Sequence, residues 1–472
     1  MPPAAWTVLT AALLVLALAP ARAQGGPPAG TDLRASDDGH HVVRRDGTPL
    51  LYLADTNWEL FARSTRGEAV RYLDDRQAKR FTTIQTAFLA LHEGPNAYGR
   101  PPVDYRTLAP VTTPGADPAD AKQYDYWDHV DYVLAEAAKR GFVVSVAPFR
   151  QQLMPKSPAD AERYGRFLGD RYGRRPGLII PVGFDPSAEQ IDAQADAYRG
   201  VARGLAAGAG GGTNVFLTFH PAGRHSSSRW FHQDAWLRYN TIQSGHGRDT
   251  PSWRMIAADY ARKPAKPVLD AEATYEGHPL GNVPRDPQTG KRVLSDAADV
   301  RKYAYWNLLA GAWGHTYGHH SVWQMYVPGK HKEGYEAVVG WADALDAPGA
   351  NQMRHVRTLM EARPMLARVP DPSLVADAFE GGAHVEAARG DGYAFIYSAE
   401  GRPVTLVPGK VSGDRVRAAW FDPRTGRGTV VGEYANRGTR TFTPPTAGRG
   451  SDWVLVIDDV AKKYPVIGAE GR

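Results

Sequence analysis

Two acidic residues stand directly after apolar, strand-like segments of the chain. Asp185 ends the run at residues 178–185 (LIIPVGFD), and Glu272 ends the run at 266–272 (KPVLDAE). In a parallel barrel the loops that follow the strands converge at one face, so the two carboxyl groups are expected to face each other across its mouth. Such a pair is the minimal equipment for cleaving a glycosidic bond. Glu272 would have to stay ionised, and Asp185 would need a raised pKa to protonate the leaving oxygen.

Each carboxyl group also has a structural interpretation that position alone does not separate from catalysis. An aspartate before a helix is typical of an N-cap, which fits Asp185 equally well. Glu272 follows Asp270 by two residues, so both side chains point the same way in a regular strand. A glutamate there is also typical of a buried ion pair with an arginine of the barrel.

The ends of the other predicted strands carry polar and aromatic side chains. Proteins bind sugars in this way, with short polar groups on the hydroxyls and aromatic rings against the C–H faces. The pattern therefore predicts a sugar-binding rim around the two carboxyl groups. The candidate substrate-binding residues are Asp55, Trp58, Glu93, Asn96, His220, Gln243, Ser244, His246, His315, Tyr317 and Trp323.

Other chemistries are less well supported by the sequence. His315, His319 and His320 have a spacing that resembles metal ligands, but no HExxH motif accompanies them, so we predict no metal site and no cofactor. No GxSxG motif follows a strand, which argues against a serine nucleophile. The sequence has no cysteine, and this excludes disulfides, thiolate ligands and cysteine nucleophiles.

The elements that must position these residues alternate regularly along the chain. Apolar strand-like segments and amphipathic helical segments follow each other about eight times, which predicts a parallel sheet with right-handed crossovers. We therefore predict an α/β fold, a (β/α)8 TIM barrel, over residues 39–368. A doubly wound sheet is the alternative, although no glycine-rich phosphate-binding turn supports it. Short strands with glycine-containing turns predict a small antiparallel β-sandwich over residues 369–472.

The first 23 residues have the features of a secretory signal peptide. An apolar stretch at residues 8–18 precedes the small-residue site Ala21-Arg22-Ala23. We expect cleavage after Ala23 and a secreted or periplasmic protein, with residues 24–38 as a flexible leader. No later segment is long and apolar enough to predict a membrane span, so no membrane association is expected after cleavage.

The distribution of charged residues along the chain indicates which binding partners to expect. The 472 residues carry a net charge of +5, but lysine and arginine are scattered and form no basic run interleaved with aromatic residues. This predicts no nucleic-acid partner. The expected partner is a polysaccharide or oligosaccharide substrate, and the excess positive charge favours an acidic polysaccharide. The sequence gives no basis for an oligomeric state.

Several runs of the chain resemble the apiosidase-like barrels of glycoside hydrolase family 140. The resemblance covers roughly residues 40–365, and its runs are 51–61 (LYLADTNWELF), 219–221 (FHP), 226–228 (SSS), 242–246 (IQSGH), 266–270 (KPVLD) and 314–318 (GHTYG). It implies retaining hydrolysis, with Asp185 as acid/base after the fourth strand and Glu272 as nucleophile after the seventh. The run 420–426 (WFDPRTG) is similar to a small β-domain named for collagen binding.

The chain departs from the family pattern beside both carboxyl groups. Where the family has Gly-Gly-Asp, the chain has Gly183-Phe184-Asp185, and where it has Gly-Glu-Pro, the chain has Ala271-Glu272-Ala273. These departures bear on the sugar more than on the mechanism, so both an apiosyl and an arabinofuranosyl linkage stay open. A loop at residues 276–296 is expected to wall off the cleft. The alternative function is a non-catalytic carbohydrate-binding or collagen-binding protein.

Overall fold

A computed structural model describes residues 31–89, 94–155, 157–332 and 334–469. Its central feature is a curled parallel sheet, and every residue of its eight strands is buried. Burial on both faces explains why these strands read as apolar runs instead of alternating patterns. The strands are β1 (Tyr52–Thr56), β2 (Thr83–Ala87), β3 (Val143–Ala147), β4 (Leu178–Phe184), β5 (Phe216–His220), β6 (Asn240–Gln243), β7 (Val268–Asp270) and β8 (Gly314–Tyr317).

The sheet closes on itself through two short seams. Six strands form one ladder in the order β8-β1-β2-β3-β4-β5, and β6 pairs with β7 in a second parallel ladder. Leu217 of β5 bridges Leu237 just before β6, and the Trp313 backbone N–H donates to the Val268 carbonyl at 3.1 Å, which joins β8 to β7. The predicted TIM-like barrel is therefore confirmed.

The helices lie between the strands, and their first residues explain where they begin. Thr65, Asp125 and Asp296 each form a capping box at a helix N-terminus. None of the helices in the described ranges is long and apolar enough to cross a membrane. The helices are α1 (Leu60–Arg63), α2 (Arg66–Ala78), α3 (Tyr126–Lys139), α4 (Pro158–Tyr172), α5 (Ala188–Gly208), α6 (Ser228–Phe231), α7 (Ser252–Tyr260), α8 (Ala297–Leu309), α9 (Trp341–Ala344) and α10 (Pro348–Glu361).

A β-hairpin precedes the barrel and corrects the predicted leader. Leu33–Ala35 pairs antiparallel with Val42–Arg44. The Leu33 side chain packs in one cluster with Tyr52 and Phe216 at the beginnings of barrel strands. The prediction of a flexible leader is therefore wrong for residues 31–38, because an apolar side chain ties them to the barrel. The predicted signal peptide and the rest of the leader lie outside the described residues.

The C-terminal residues form the predicted antiparallel β-domain. A six-stranded sheet has the order β9-β10-β11-β16-β13-β14, and the two-stranded sheet β12-β15 packs against it through Val404, Leu406 and Phe442. The strands are β9 (Val369–Pro370), β10 (Val385–Gly390), β11 (Tyr393–Ser398), β12 (Val404–Leu406), β13 (Arg415–Phe421), β14 (Gly428–Ala435), β15 (Arg440–Phe442) and β16 (Trp453–Asp459).

Two buried ion pairs join this domain to the barrel. Arg301 of α8 makes a bidentate contact with Asp452, with nitrogen–oxygen distances of 3.0 and 2.7 Å. Arg363, just after α10, contacts Asp458 in the same way at 2.9 and 2.8 Å. The β-domain therefore docks on the outer, helical side of the barrel.

We expect Arg301→Gln to destabilise the protein by about 3 kcal/mol, because it leaves the Asp452 carboxylate buried without its cation. The exposed pair Arg415–Glu433 supplies the matched control, and Arg415→Gln should cost less than about 1 kcal/mol. Urea unfolding followed by tryptophan fluorescence measures both. Similar midpoints for Arg301→Gln and wild type would contradict a structural role for this contact.

Candidate active site

A cavity of about 250 Å³ opens where the barrel strands end. The segments that follow β1, β3, β4, β6, β7 and β8 all contribute side chains to it, as expected of the carboxyl face of a barrel. Six of the predicted site residues are among them. The lining residues are Trp58, Arg150, Phe184, Asp185, Gln243, His246, Glu272, Tyr275, His278, Trp323 and Tyr335.

Asp185 faces this cavity because the backbone turns sharply after β4. Its φ angle of 57° lies in the left-handed region, which costs a non-glycine residue about 1 kcal/mol. The Asp185 N–H donates to the His220 carbonyl at 3.0 Å and helps to hold the turn. Helix α5 is capped by Ser187, whose hydroxyl accepts the Gln190 N–H. The N-cap interpretation of Asp185 is therefore wrong.

The surroundings of Asp185 favour its protonated form. Burial raises the pKa of its carboxyl group, the negative charge of Glu272 raises it further, and the result is a pKa of about 6. The Arg150 guanidinium, 3.6 Å away, the charge of His246 and a hydrogen bond with the Gln243 side chain act in the opposite direction. Asp185 can therefore hold a proton in mildly acidic solution and release it near neutral pH.

The surroundings of Glu272 favour its ionised form. His246 Nε2 lies 3.0 Å from one carboxylate oxygen, and His220 Nε2 lies 3.5 Å from the other. Burial raises the pKa of Glu272, but the His246 hydrogen bond, the charges of both histidines and a hydrogen bond with Tyr275 outweigh it, so the pKa lies below its usual value. Among the described residues, the Glu272 side chain thus contacts two imidazoles and a phenol, and the alternative of an ion pair with a barrel arginine is not found.

The loop that carries Glu272 is anchored by Asp270 at the end of β7. The Asp270 carboxylate accepts hydrogen bonds from the Ser244 hydroxyl at 2.7 Å and from the Asn307 amide at 2.9 Å. It also accepts the Glu272 N–H at 3.3 Å. The strand ends at Asp270, and of the two carboxylates only Glu272 lines the cavity. Asp270 and Ser244 hold the loops after β6 and β7 together.

Aromatic rings form much of the cavity wall. Trp58 stacks on Phe184 with ring centroids 3.9 Å apart, and its indole N–H donates to the Tyr275 hydroxyl at 3.3 Å. His246 stacks on His278 at 4.0 Å. These contacts hold the rings in place, so that they offer flat apolar surfaces next to the carboxylates. Such surfaces suit the C–H faces of a sugar.

Six of the described substrate-binding candidates do not line the cavity, and in five of them the side chain bonds to other parts of the fold or lies inside a strand. Asp55 lies 3.0 Å from Arg76 and accepts the Tyr72 hydroxyl at 2.6 Å. The five residues are Asp55, Asn96, Ser244, His315 and Tyr317. The predicted substrate contact is therefore wrong for them.

The reasons differ among the remaining four. Asn96 accepts the Tyr98 and Arg100 N–H groups within its own loop. Ser244 binds Asp270, and the Tyr317 hydroxyl donates to Glu276 at 2.7 Å. His315 is 1% exposed and lies too early in β8 to reach the mouth.

Two further predicted residues have other outcomes. His220 is buried behind the cavity and contacts Glu272 from that side. It therefore acts on the carboxylate and not on a bound ligand. The prediction for Glu93 lies outside the described residues.

The sequence prediction missed five lining residues, and all but Phe184 lie on loops. Arg150 follows β3, Tyr275 and His278 follow β7, and Tyr335 follows β8. His278 belongs to the loop at 276–296 that was expected to wall off the cleft, and it does contribute to the wall. Within the described part of the chain, no three His, Asp or Glu side chains are arranged to hold a metal ion.

Comparison with known proteins agrees with this geometry. A family model described as "Apiosidase-like, catalytic domain" matches residues 36–367. The chain belongs to this family. A second model, "Putative collagen-binding domain of a collagenase", matches residues 369–458. No protein with a curated description matches the chain.

Two solved structures resemble this apiosidase-like protein over nearly all of its length. One, called a glycoside hydrolase, is 32% identical, covers 92% of this chain and 98% of its own, and has a TM-score of 0.83. The other is a glycoside hydrolase family 5 protein from Bacteroides vulgatus ATCC 8482, 30% identical, with coverage of 92% and 95% and a TM-score of 0.82. The protein is thus a glycoside hydrolase, and its substrate is a carbohydrate.

We expect Arg150→Met to raise the pKa of Asp185 above about 6, because it removes a positive charge 3.6 Å from the carboxylate. Carboxyl ¹³C NMR of aspartate-labelled protein, recorded as a function of pH, measures this pKa. The control is Arg163→Met, which removes an exposed charge on α4 and should leave it unchanged. A wild-type pKa near 4 for Asp185 would contradict the effect of burial and of Glu272.

Proposed function

We propose that the protein is a retaining glycosidase in which Glu272 is the nucleophile and Asp185 the acid/base. The observation that carries the proposal is that one cavity is lined by two carboxyl groups whose pKa values are shifted in opposite directions. When the pKa values of two neighbouring carboxyl groups are shifted apart, the group with the lower pKa is the ionised partner and the group with the higher pKa is the proton donor.

The proposed reaction has two steps. The Glu272 carboxylate attacks the anomeric carbon while Asp185 gives its proton to the leaving oxygen, so the glycosidic bond breaks and a glycosyl ester forms. In the second step the Asp185 carboxylate takes a proton from water as the water oxygen attacks the same carbon. The ester bond breaks, and Glu272 returns as a carboxylate.

The coupling between the two groups fits both steps. The charge of Glu272 is one cause of the raised pKa of Asp185. Once Glu272 is esterified this charge is gone, and the pKa of Asp185 falls. Asp185 can thus serve first as the acid and then as the base. Its higher pKa keeps it protonated before the first step, and its lower pKa leaves it ionised before the second.

The contacts of Glu272 suit a nucleophile. His220 at the end of β5 and His246 on the loop after β6 approach its two oxygens, so the carboxylate is held in one orientation. Gln243 links His220, at 3.2 Å, to Asp185. His220 and Gln243 are therefore assigned as positioning residues of the proposed site.

The size and walls of the cavity favour one small sugar ring. About 250 Å³ is less than the roughly 300–1,000 Å³ of pockets that hold drug-sized ligands. Phe184 stands where the family pattern has glycine, and its stacking on Trp58 narrows the space. We propose a furanoside substrate, an apiosyl or arabinofuranosyl linkage in a plant or microbial polysaccharide.

We further propose that the enzyme is exported. The apolar segment at residues 8–18 and the small residues before Gln24 support this. The N-terminal sequence of protein recovered outside the cytoplasm tests it. A mature chain that begins at Gln24 would agree, and an intact Met1 would contradict it.

On a panel of apiose-containing pectin and L- and D-arabinans, we expect Asp185→Asn to lower kcat by about 10²–10⁴-fold and Glu272→Gln by at least as much. The lost proton donor and the lost nucleophile are the reasons. Release of reducing sugar measures activity. Glu189→Gln on α5 is the control, since it removes an exposed carboxylate close to Asp185 in sequence and should keep wild-type activity. Full activity of Glu272→Gln would overturn the assignment.

Stereochemistry gives an independent test on the substrate that the panel identifies. A retaining enzyme releases the sugar first in the anomeric configuration of the substrate, because two displacements occur at the same carbon. ¹H NMR of the anomeric proton during the first minutes of hydrolysis shows which anomer appears. Initial release of the opposite anomer would assign Glu272 as a base that activates water.

A further inference from the structure

A second and larger cavity, about 540 Å³, lies at the opposite end of the barrel. Its walls come from the N-terminal hairpin and from the segments that enter β5, β6 and β7. We call it the basal pocket and define it by its charged residues Arg34, Arg45, Asp234, Arg238 and Lys266. The proposed chemistry at the other face uses none of these side chains.

The basal pocket has a surplus of positive charge. Four of its charged side chains are cationic, and one of them, Arg34, pairs with Asp37 at 2.9 Å. Its one carboxylate, Asp234, lies 2.9 Å from Arg199 and also accepts the Trp236 indole N–H. Among the described residues, no carboxylate forms an ion pair with Arg45, Arg238 or Lys266. The pocket therefore lacks the negative charge that would balance these three cations.

Two of these cations are partly removed from water. The Lys266 ammonium donates to the Asp234 and Leu237 carbonyls at 3.2 and 2.7 Å, which leaves one N–H without an acceptor in the part of the chain that the structure describes. Arg238 donates to the Gly212 carbonyl at 2.8 Å. Burial and the nearby charge of Arg238 lower the pKa of Lys266 to about 8, against the opposing effect of Asp234. A bound anion would offset this repulsion.

The remaining walls mix apolar side chains with the polar residues Thr31, Thr213, His232 and Gln233, and they suit a larger ligand than an inorganic ion. Leu33, Phe216, Leu237 and Pro267 line the pocket together with the cations. Its volume falls within the range of pockets that bind organic ligands of several rings. Apolar walls beside unbalanced cations match a sugar chain that carries carboxylates.

We propose that the basal pocket is a second carbohydrate-binding site, which takes an oligosaccharide of uronate residues. It would hold the enzyme on an acidic polysaccharide while the catalytic cavity, at the other end of the barrel, acts on a different part of the polymer. The net charge of +5 favours the same kind of partner at long range. The proposal rests on the carbohydrate substrate of the family and not on the roles assigned to Asp185 and Glu272.

Isothermal titration calorimetry of the full protein with trigalacturonate, at low salt, tests this proposal. We expect binding that weakens as sodium chloride is added. Arg45→Gln and Arg238→Gln should each weaken it by about tenfold, the effect of losing one charged contact of about 1.4 kcal/mol. Arg106→Gln, which removes a 92% exposed charge elsewhere on the barrel, is the matched control. Lys266 is left intact because its ammonium binds two backbone carbonyls, whereas the Arg238 guanidinium binds one, that of Gly212.

Two further arms locate the ligand and define its chemistry. If trigalacturonate occupied the catalytic cavity, Glu272→Gln would strengthen binding and Arg150→Met would weaken it. Because we place the ligand in the basal pocket, we expect neither substitution to change the affinity. Fully methyl-esterified trigalacturonate, with the same rings and no charge, should not bind. Sulfate binding as tight as trigalacturonate would reduce the pocket to an inorganic-anion site. Absence of binding, or binding that Arg45→Gln and Arg238→Gln leave unchanged, would overturn the proposal.

Discussion

The site depends on keeping one buried carboxylate charged. Glu272 is 7% exposed, and burial alone would drive it toward its neutral form. His246 and His220 prevent this, because each brings an imidazole to one of the carboxylate oxygens. They can do so only because barrel closure sets β5, β6 and β7 side by side. The arrangement of these strands in the fold thus keeps the Glu272 carboxylate ionised.

Partial burial has the opposite result at Asp185, whose side chain is 26% exposed. Among the described residues, no imidazole is hydrogen-bonded to its carboxylate, and the nearest guanidinium, that of Arg150, is 3.6 Å away. Burial and the charge of Glu272 therefore prevail, and the pKa rises. The pKa values of the two acidic groups differ because their neighbours differ, and the charge of each group affects the pKa of the other. A change at Glu272 is for this reason also a change at Asp185.

The strand ends could be predicted from the sequence, but the direction of individual side chains could not. Asp185 and Glu272 lie one and two residues after their strands end, at the face of the barrel where the mouth was expected. His315 and Tyr317 fall within β8, and there a single position decides between mouth and interior. Arg150 and Tyr335 lie on loops whose conformation depends on contacts with distant residues. The hairpin at Leu33 was missed because each of its strands has only three residues, too few to show an alternating hydrophobic pattern.

The C-terminal domain is connected to the loop that carries Glu272 through contacts of one helix, α8. α8 presents Arg301 and the Trp306 indole to the β-domain, where they bind Asp452 and the His384 carbonyl. From the same helix Asn307 donates to Asp270, the residue that anchors the Glu272 loop. All of these contacts are buried, so the helix cannot shift on one side without strain on the other. The β-domain therefore supports the position of the carboxylate from outside the barrel, without contributing a side chain to the cavity.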